Sequence, residues 1–254
     1  MCEAKPIIDK FKLKKNLAIK EFNLYQANNI FLCITGIGEL PVVSAISFLA
    51  GKGIISQFSV IINYGIAGAK ELEVGELVEI NKITNYSRPG NSSYFPIKVQ
   101  NFGLIEKELI THHVAVTDCP SNALVDMEGY AVFQTSLKFV SIEQIWIAKV
   151  VSDNQQYQVT ELNKNSISQL LNKHIGKITE VLEFYQSLSS FLTEINTMPA
   201  EFEQITKNVK FSFSEKIKLK KLLLKLRNKG TVLHIEKLIS LNNSSKILSN
   251  LDLL

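Results

Sequence analysis

Short apolar runs rich in Ile and Val recur along the chain, at Ile30 to Thr35, Ser59 to Tyr64, Leu77 to Ile83, Val114 to Thr117 and Ile145 to Ser152. Their length and β-branched content predict strands. Between the first two, Glu39 to Lys52 has helix length and opens after a Gly-x-Gly turn. Gly129 to Lys138 predicts another helix, and Thr160 to Leu188 a long closing one. Strands alternating with helices specify an α/β domain with a largely parallel or mixed sheet. The stretch TNYSRPGNSSYFP, 84–96, is a turn-rich loop. Beyond about Ser190 the pattern changes to Lys, Leu, Asn and Ser at helical spacing. The expected division is therefore an α/β domain over 1–189 and a basic helical appendage over 190–254, with no internal repeat.

Composition narrows the class. With 46% hydrophobic and 20% charged residues over 254 positions, wholesale disorder is excluded, and 12 Gly with 6 Pro exclude a collagen-like chain. No run of eighteen apolar residues lacks a polar break: the most apolar region, Pro41 to Ala69, is cut by Lys52, Gln57 and Asn63. No membrane span and no membrane partner are expected. The start, MCEAKPIIDKFKLKK, has no apolar core of a secretory leader, and the cysteines at 2, 33 and 119 are odd in number and widely spaced. Both point to a reduced, cytoplasmic setting. The four histidines and three cysteines form no cluster at ligand spacing, so neither a metal nor a cofactor is expected.

Charge is unevenly placed. Lys216 to Lys229, KIKLKKLLLKLRNK, holds seven basic residues and no acid, with leucines at 219, 222, 223, 224 and 226. That spacing suits a helix with one apolar stripe. Either it docks by that stripe and turns its lysines to water, or its cationic face meets nucleic acid or another acidic partner. No aromatic interleaves within the run, so a base-stacking platform is not indicated.

Two glycine pairs follow strands. Thr35-Gly36-Ile37-Gly38 opens a helix, but the third glycine of a dinucleotide fingerprint is replaced by Pro41, and Glu39 places negative charge where a pyrophosphate would sit. Gly65-Ile66-Ala67-Gly68 reads either as an ordinary tight turn or as a place where backbone approaches a ligand closely. Two later segments put carboxylates at strand ends: Val125-Asp126-Met127-Glu128-Gly129 and Val150-Val151-Ser152-Asp153-Asn154. Acids in such places cap helices or do chemistry.

Taken in order, TGIGELPVVSA (35–45), VIINYGIAGAKELEVGELVEI (60–80), VDMEGYAV (125–132) and VVSDN (150–154) resemble the purine-nucleoside phosphorylase and uridine phosphorylase superfamily. The resemblance covers roughly residues 1–185 and is strongest to its 5′-methylthioadenosine/S-adenosylhomocysteine nucleosidase branch. It implies a three-layer fold, a central mixed sheet flanked by helices, followed here by the helical appendage. It also implies a nucleoside substrate, a homodimer and N-glycosidic bond cleavage.

By position, Glu128 matches the glutamate that holds the ribose 2′- and 3′-hydroxyls, which a carboxylate can accept together. Met127 matches the methionine against the sugar, and Asp126 lies beside both as a further substrate-binding position. Asp153 matches the general acid that protonates purine N7, a role favoured by burial at a strand end, with Ser152 orienting it. Ile66, Ala67 and Gly68 match the turn along the nucleoside. Glu3 resembles the glutamate that activates the attacking water; the other reading is a surface glutamate at a frayed terminus. The family's first strand precedes that motif, so either it is missing here or the start lies upstream of Met1.

The phosphorylases carry an arginine two residues before the G-x-x-G turn, where this chain has Asn63. Its two arginines are Arg88 and Arg227, and lysine replaces a phosphate-gripping fork imperfectly. Hydrolysis of a 5′-modified adenosine is therefore expected over phosphorolysis, with a catalytically impaired relative as the third reading. The wording G-I-A-G-A at 65–69 also resembles futalosine hydrolases. Thr117-Asp118-Cys119-Pro120 stands where many members have a base-stacking aromatic, which leaves the base open.

Overall fold

The computed structural model describes residues 2–86, 92–116, 119–155 and 163–254. Helix α1 (Lys5–Phe11) has proline in its first turn, where an amide proton has no helical partner anyway, and ends on Lys12 in the left-handed region. Three strands follow as a separate antiparallel sheet: β1 (Lys14–Lys15), β2 (Asn23–Ala27) and β3 (Ile30–Ile34). Ala27 lies opposite Ile30 across a two-residue hairpin whose Asn28 has φ of 50°. Asparagine tolerates that conformation well. The expected strand at Ile30 thus pairs locally with β2 and does not join the main sheet.

The main sheet contains β4 (Ile61–Ala69), β5 (Leu77–Asn85), β6 (Ser93–Tyr94), β7 (Ile105–Thr111), β8 (Ala123–Asp126) and β9 (Ile145–Asp153). Its order is β6-β5-β7-β8-β4-β9, and β5 also pairs with β9, so five strands close on themselves. Among these five, three pairs are parallel (β5 with β7, β7 with β8, β4 with β9) and two are antiparallel (β4 with β8, β5 with β9). The expected mixed sheet with flanking helices is present; its closure is the departure from an open central layer. Helices α2 (Glu39–Gly51) and α3 (Gly129–Ser136) contribute Val42, Ile46, Tyr130 and Phe133 to one core, with Ile145, Ile147 and Val151 of β9. The alternate residues Trp146, Ala148 and Val150 enter a second core with Ile7, Leu171, Ile178 and Val181. Period-two alternation thus feeds both faces with apolar side chains, which is why β9 reads as one continuous run.

The long helix expected from Thr160 is two helices, α4 (Lys164–Asn172) and α5 (Ile175–Asn196), and residues 160–162 lie outside the described set. At the break the Tyr64 hydroxyl donates to the Leu171 carbonyl (2.8 Å), and His174 Nε2 is 2.7 Å from the Gly75 carbonyl oxygen. Side chains thus take over contacts that another helical turn would have made. Val114 to Val116 form no strand; the strand is β7 just before, whose sequence IEKELIT carries three consecutive charged residues, Glu106, Lys107 and Glu108.

The chain divides into two compact units, Met1–Ser189 and Ser190–Leu254. The second holds α6 (Ala200–Asn208), α7 (Phe213–Asn228), α8 (Ile235–Ser240) and α9 (Ser244–Asp252) around Ile205, Leu219, Leu223, Leu226, Ile247 and Leu251. Helix α7 starts in a capping box between Ser212 and Glu215. Among the described residues no helix is long and apolar enough to cross a membrane.

Candidate active site

Strand β4 is the spine of the site. Gly68 faces Val125 of β8 on one side and Asp153 of β9 on the other, so it is flanked by the ends of the two strands that carry Asp126 and Asp153. The register slips between Ala67 and Gly68: Ala67 pairs with Val151 and Gly68 with Asp153, leaving Ser152 as the extra residue of a bulge. A bulge re-aims side chains that strict alternation would send to opposite faces. The Ser152 hydroxyl consequently reaches both Asp153 Oδ1 (2.5 Å) and the Ala67 carbonyl (3.1 Å). The segment 65–68 is strand, where sequence predicted a turn, yet its glycines do admit close approach. A Cβ on Gly68 would stand 3.0 Å from Asp153 Oδ2 and 3.4 Å from Cys119 Sγ.

Glu3 comes to the same strand from the N-terminal segment. Its Oε2 accepts from the Ile66 amide (3.2 Å), and a Cβ on Gly65 would lie 2.5 Å from that oxygen. The chain's beginning is therefore tied to β4. Glu128, the residue before α3, accepts from the Gly38 amide through Oε1 (2.6 Å), which fastens the turn before α2 to the M-E-G segment. Burial pushes the Glu128 carboxyl up, and Asp126 and Glu3 add to this against the Gly38 amide and Lys149.

Asp126 is nearly sealed. Its Oδ1 accepts from the Thr111 hydroxyl (2.7 Å); its Oδ2 accepts from the Gly129 amide (2.8 Å) and pairs with Lys149 Nζ (2.9 Å). A Cβ on Gly129 would meet Leu109 Cδ2 at 2.4 Å and Asp126 Oδ2 at 2.9 Å, so a larger residue would have to push both aside. Lys149 was missed by sequence reasoning, although it is the one charge inside the apolar run IWIAKVV. Burial opposes its charge, but Asp126 and then Glu3 and Glu128 hold the amine above the ordinary lysine range. One buried cation thus faces three carboxylates. The Gly38 amide and Cys119 were missed as well, the first because a backbone donor leaves no residue-type signal. Met127 is half-buried beside Glu128. Arg88, Thr117 and Asp118 lie outside the described residues.

Solved structures share this architecture. The apo 5′-methylthioadenosine nucleosidase of Arabidopsis thaliana superposes with a TM-score of 0.58 at 18% identity, over 73% of this chain and 92% of that one. The chain has the nucleosidase fold. The Campylobacter jejuni 5′-methylthioadenosine/S-adenosyl homocysteine nucleosidase gives 0.58 at 18% identity, covering 72% and 94%. A futalosine hydrolase mutant of Helicobacter pylori gives 0.55 at 13%, covering 72% and 94%. No family model and no curated protein matches. Within this fold Glu3, Ser152 and Asp153 gather on β4 and Glu128 interacts electrostatically with Glu3, while Asp126 is engaged inward.

Proposed function

We propose that this chain is an enzyme that hydrolyses the N-glycosidic bond of a purine nucleoside, a 5′-modified adenosine such as methylthioadenosine or S-adenosylhomocysteine, to free base and sugar. The observation that carries the reading is that Glu3 and Asp153 lie against Gly65 and Gly68, where a Cβ would crowd their oxygens, with Glu128 near enough to Glu3 for the two carboxylates to interact. In this reading Asp153 gives a proton to the purine as the bond to the sugar breaks, and Ser152 orients it. Glu128 has one oxygen on Gly38 and offers the other to the ribose hydroxyls, with Met127 against the sugar. Glu3 takes the proton of the attacking water, and Ile66, Ala67 and Gly68 lie along the nucleoside. Asp126, its oxygens committed to Thr111, Gly129 and Lys149, holds the Glu128 segment in place and does not touch substrate. Water is preferred over phosphate because Asn63 replaces the arginine and Lys149 is already neutralised by Asp126. No cofactor enters the scheme.

The reading includes a cytoplasmic homodimer. Ile37, Leu40 and Val43, at and after the Gly36–Gly38 turn, are exposed beside the backbone that holds Glu128, and suit a subunit contact. The test is incubation with methylthioadenosine, adenosine and inosine, each with and without phosphate. Free base released without phosphate supports hydrolysis; strict phosphate dependence assigns a phosphorylase; no release from any substrate removes the enzymatic reading in favour of an inactive relative.

A further inference from the structure

Helix α7 has an apolar face turned to its own core and apolar side chains set among lysines on the other side. Leu219, Leu222, Leu223 and Leu226 are spent on the core of the second unit. A second stripe runs along the helix at Phe213, Ile217, Lys220 and Leu224, spaced four, three and four residues apart and so aligned on one side. Phe213 is 82% exposed and Ile217 45% exposed, and Leu224 is half-buried. Lys216 borders this stripe on one flank, Lys221 and Lys225 on the other.

The lysines are not neutralised. Glu215, the acid of the first turn, is held by Ser212 and Ser244. Arg227 donates to the Thr197 and Glu194 carbonyls (2.7 and 2.8 Å), and Lys218 meets Asp252 at 3.7 Å. Among the described residues Lys216, Lys220, Lys221 and Lys225 have no carboxylate partner. Residues 190–254 carry eleven Lys and Arg against six Asp and Glu, while 1–189 carry seventeen against eighteen, so the chain's positive excess resides in the second unit.

We propose that the outer face of α7 docks this protein on the surface of a bilayer containing acidic phospholipids. Aromatic and aliphatic side chains flanked by lysines on one side of a helix can enter the headgroup boundary while the amines meet lipid phosphates and carboxylates. Nucleic acid would satisfy the lysines but offers Ile217 and Leu224 nothing. The sixteen-residue helix lies in the interface and does not cross it.

The test is co-sedimentation of the full chain with phosphatidylcholine vesicles, with and without phosphatidylserine, in low and high salt. The chain is expected on the acidic vesicles and not on the neutral ones. Lys220→Gln combined with Lys221→Gln lowers partitioning on the order of tenfold, and Phe213→Ser combined with Ile217→Ser lowers it similarly at unchanged charge. Circular dichroism and nucleoside cleavage stay as in the parent, since these positions lie outside the proposed site. Equal binding to both vesicle types, no binding to either, or indifference to Phe213 and Ile217 overturns the proposal. Tighter binding to a short RNA that depends on the lysines alone overturns it in favour of nucleic acid.

Discussion

The Ser152 hydroxyl sits between Asp153 Oδ1 and the Ala67 carbonyl, at 2.5 and 3.1 Å, yet has a single proton to donate. That proton goes to Asp153 and can be shared with Ala67 as a three-centre bond, which fixes the carboxyl at the end of β9. A carboxyl that is to act on a leaving purine has to be held in one orientation, and Ser152 supplies that hold. Asp153→Asn is therefore expected to cut kcat by ~10²–10⁴ with substrate binding largely kept. Ser152→Ala should lower kcat about tenfold, and Ser152→Thr, which retains the hydroxyl, should restore most of it. Steady-state kinetics decide, and near-normal turnover of Asp153→Asn would leave that residue a structural strand end.

Glu128 gives the pH dependence its direction. It must be ionised to accept two ribose hydroxyls, and burial pushes its carboxyl up from the ordinary range. As pH falls, proton uptake removes the acceptor earlier than an exposed glutamate would, so kcat/KM should decline on the acid side at a pH above the usual carboxylate range. Glu128→Gln should weaken KM and kcat together and blunt discrimination between ribosides and 2′-deoxyribosides. Unchanged discrimination would take Glu128 off the sugar.

Much of the fold was legible because its signals are local. The Ile- and Val-rich run IWIAKVV marked β9, and the Gly-x-Gly turn marked the start of α2. The failures share a cause in tertiary pairing. Strand β7 is masked by its alternating glutamates and lysine, of which Glu108 meets Lys82 at 3.0 Å, and β2 by the polar residues of NLYQA. Closure of the sheet depends on β5 pairing with β9, a contact between distant segments that no periodicity reports. In the site, acids in recognisable segments could be found by position, but Lys149 looked like an interruption of a strand because its partner Asp126 lies twenty-three positions away.

Gly65 tests whether Glu3 belongs to the site. A Cβ there falls 2.5 Å from Glu3 Oε2, so Gly65→Ala must displace the carboxylate from the Ile66 amide. The expected result is a folded protein with turnover reduced on the order of 10–100-fold. Glu3→Gln should produce a comparable loss, and combining the two should add little, because both remove the same group. Additive losses would show that Gly65 acts by some other route, and full activity of Glu3→Gln would leave Glu3 a terminal surface residue.

Lys149 and Asp126 should matter first to stability. Their side chains are 4% and 2% exposed, so removing one leaves an uncompensated buried charge. Lys149→Met is expected to destabilise the first unit by about 3–5 kcal/mol in urea unfolding. Adding Asp126→Asn should recover part of that loss, since the orphaned carboxylate disappears. A double variant as unstable as the sum of its parts would mean that the two residues contribute independently and not as a pair.

The two units, each with its own apolar core, should separate in solution. A chain ending at Asn196 keeps α5 whole and omits α6 to α9, whose core is built from residues beyond it. It is expected to remain folded, to keep the nucleoside cleavage of the full chain, and to lose the binding to acidic vesicles. Calorimetry offers a second view: independent units give the full chain two transitions, of which the shortened chain retains one. Aggregation of the shortened chain, or a single transition that both forms share, would show that residues 190–254 are part of one cooperative structure with the sheet. Retention of vesicle binding would place the docking surface in the first unit and remove it from α7.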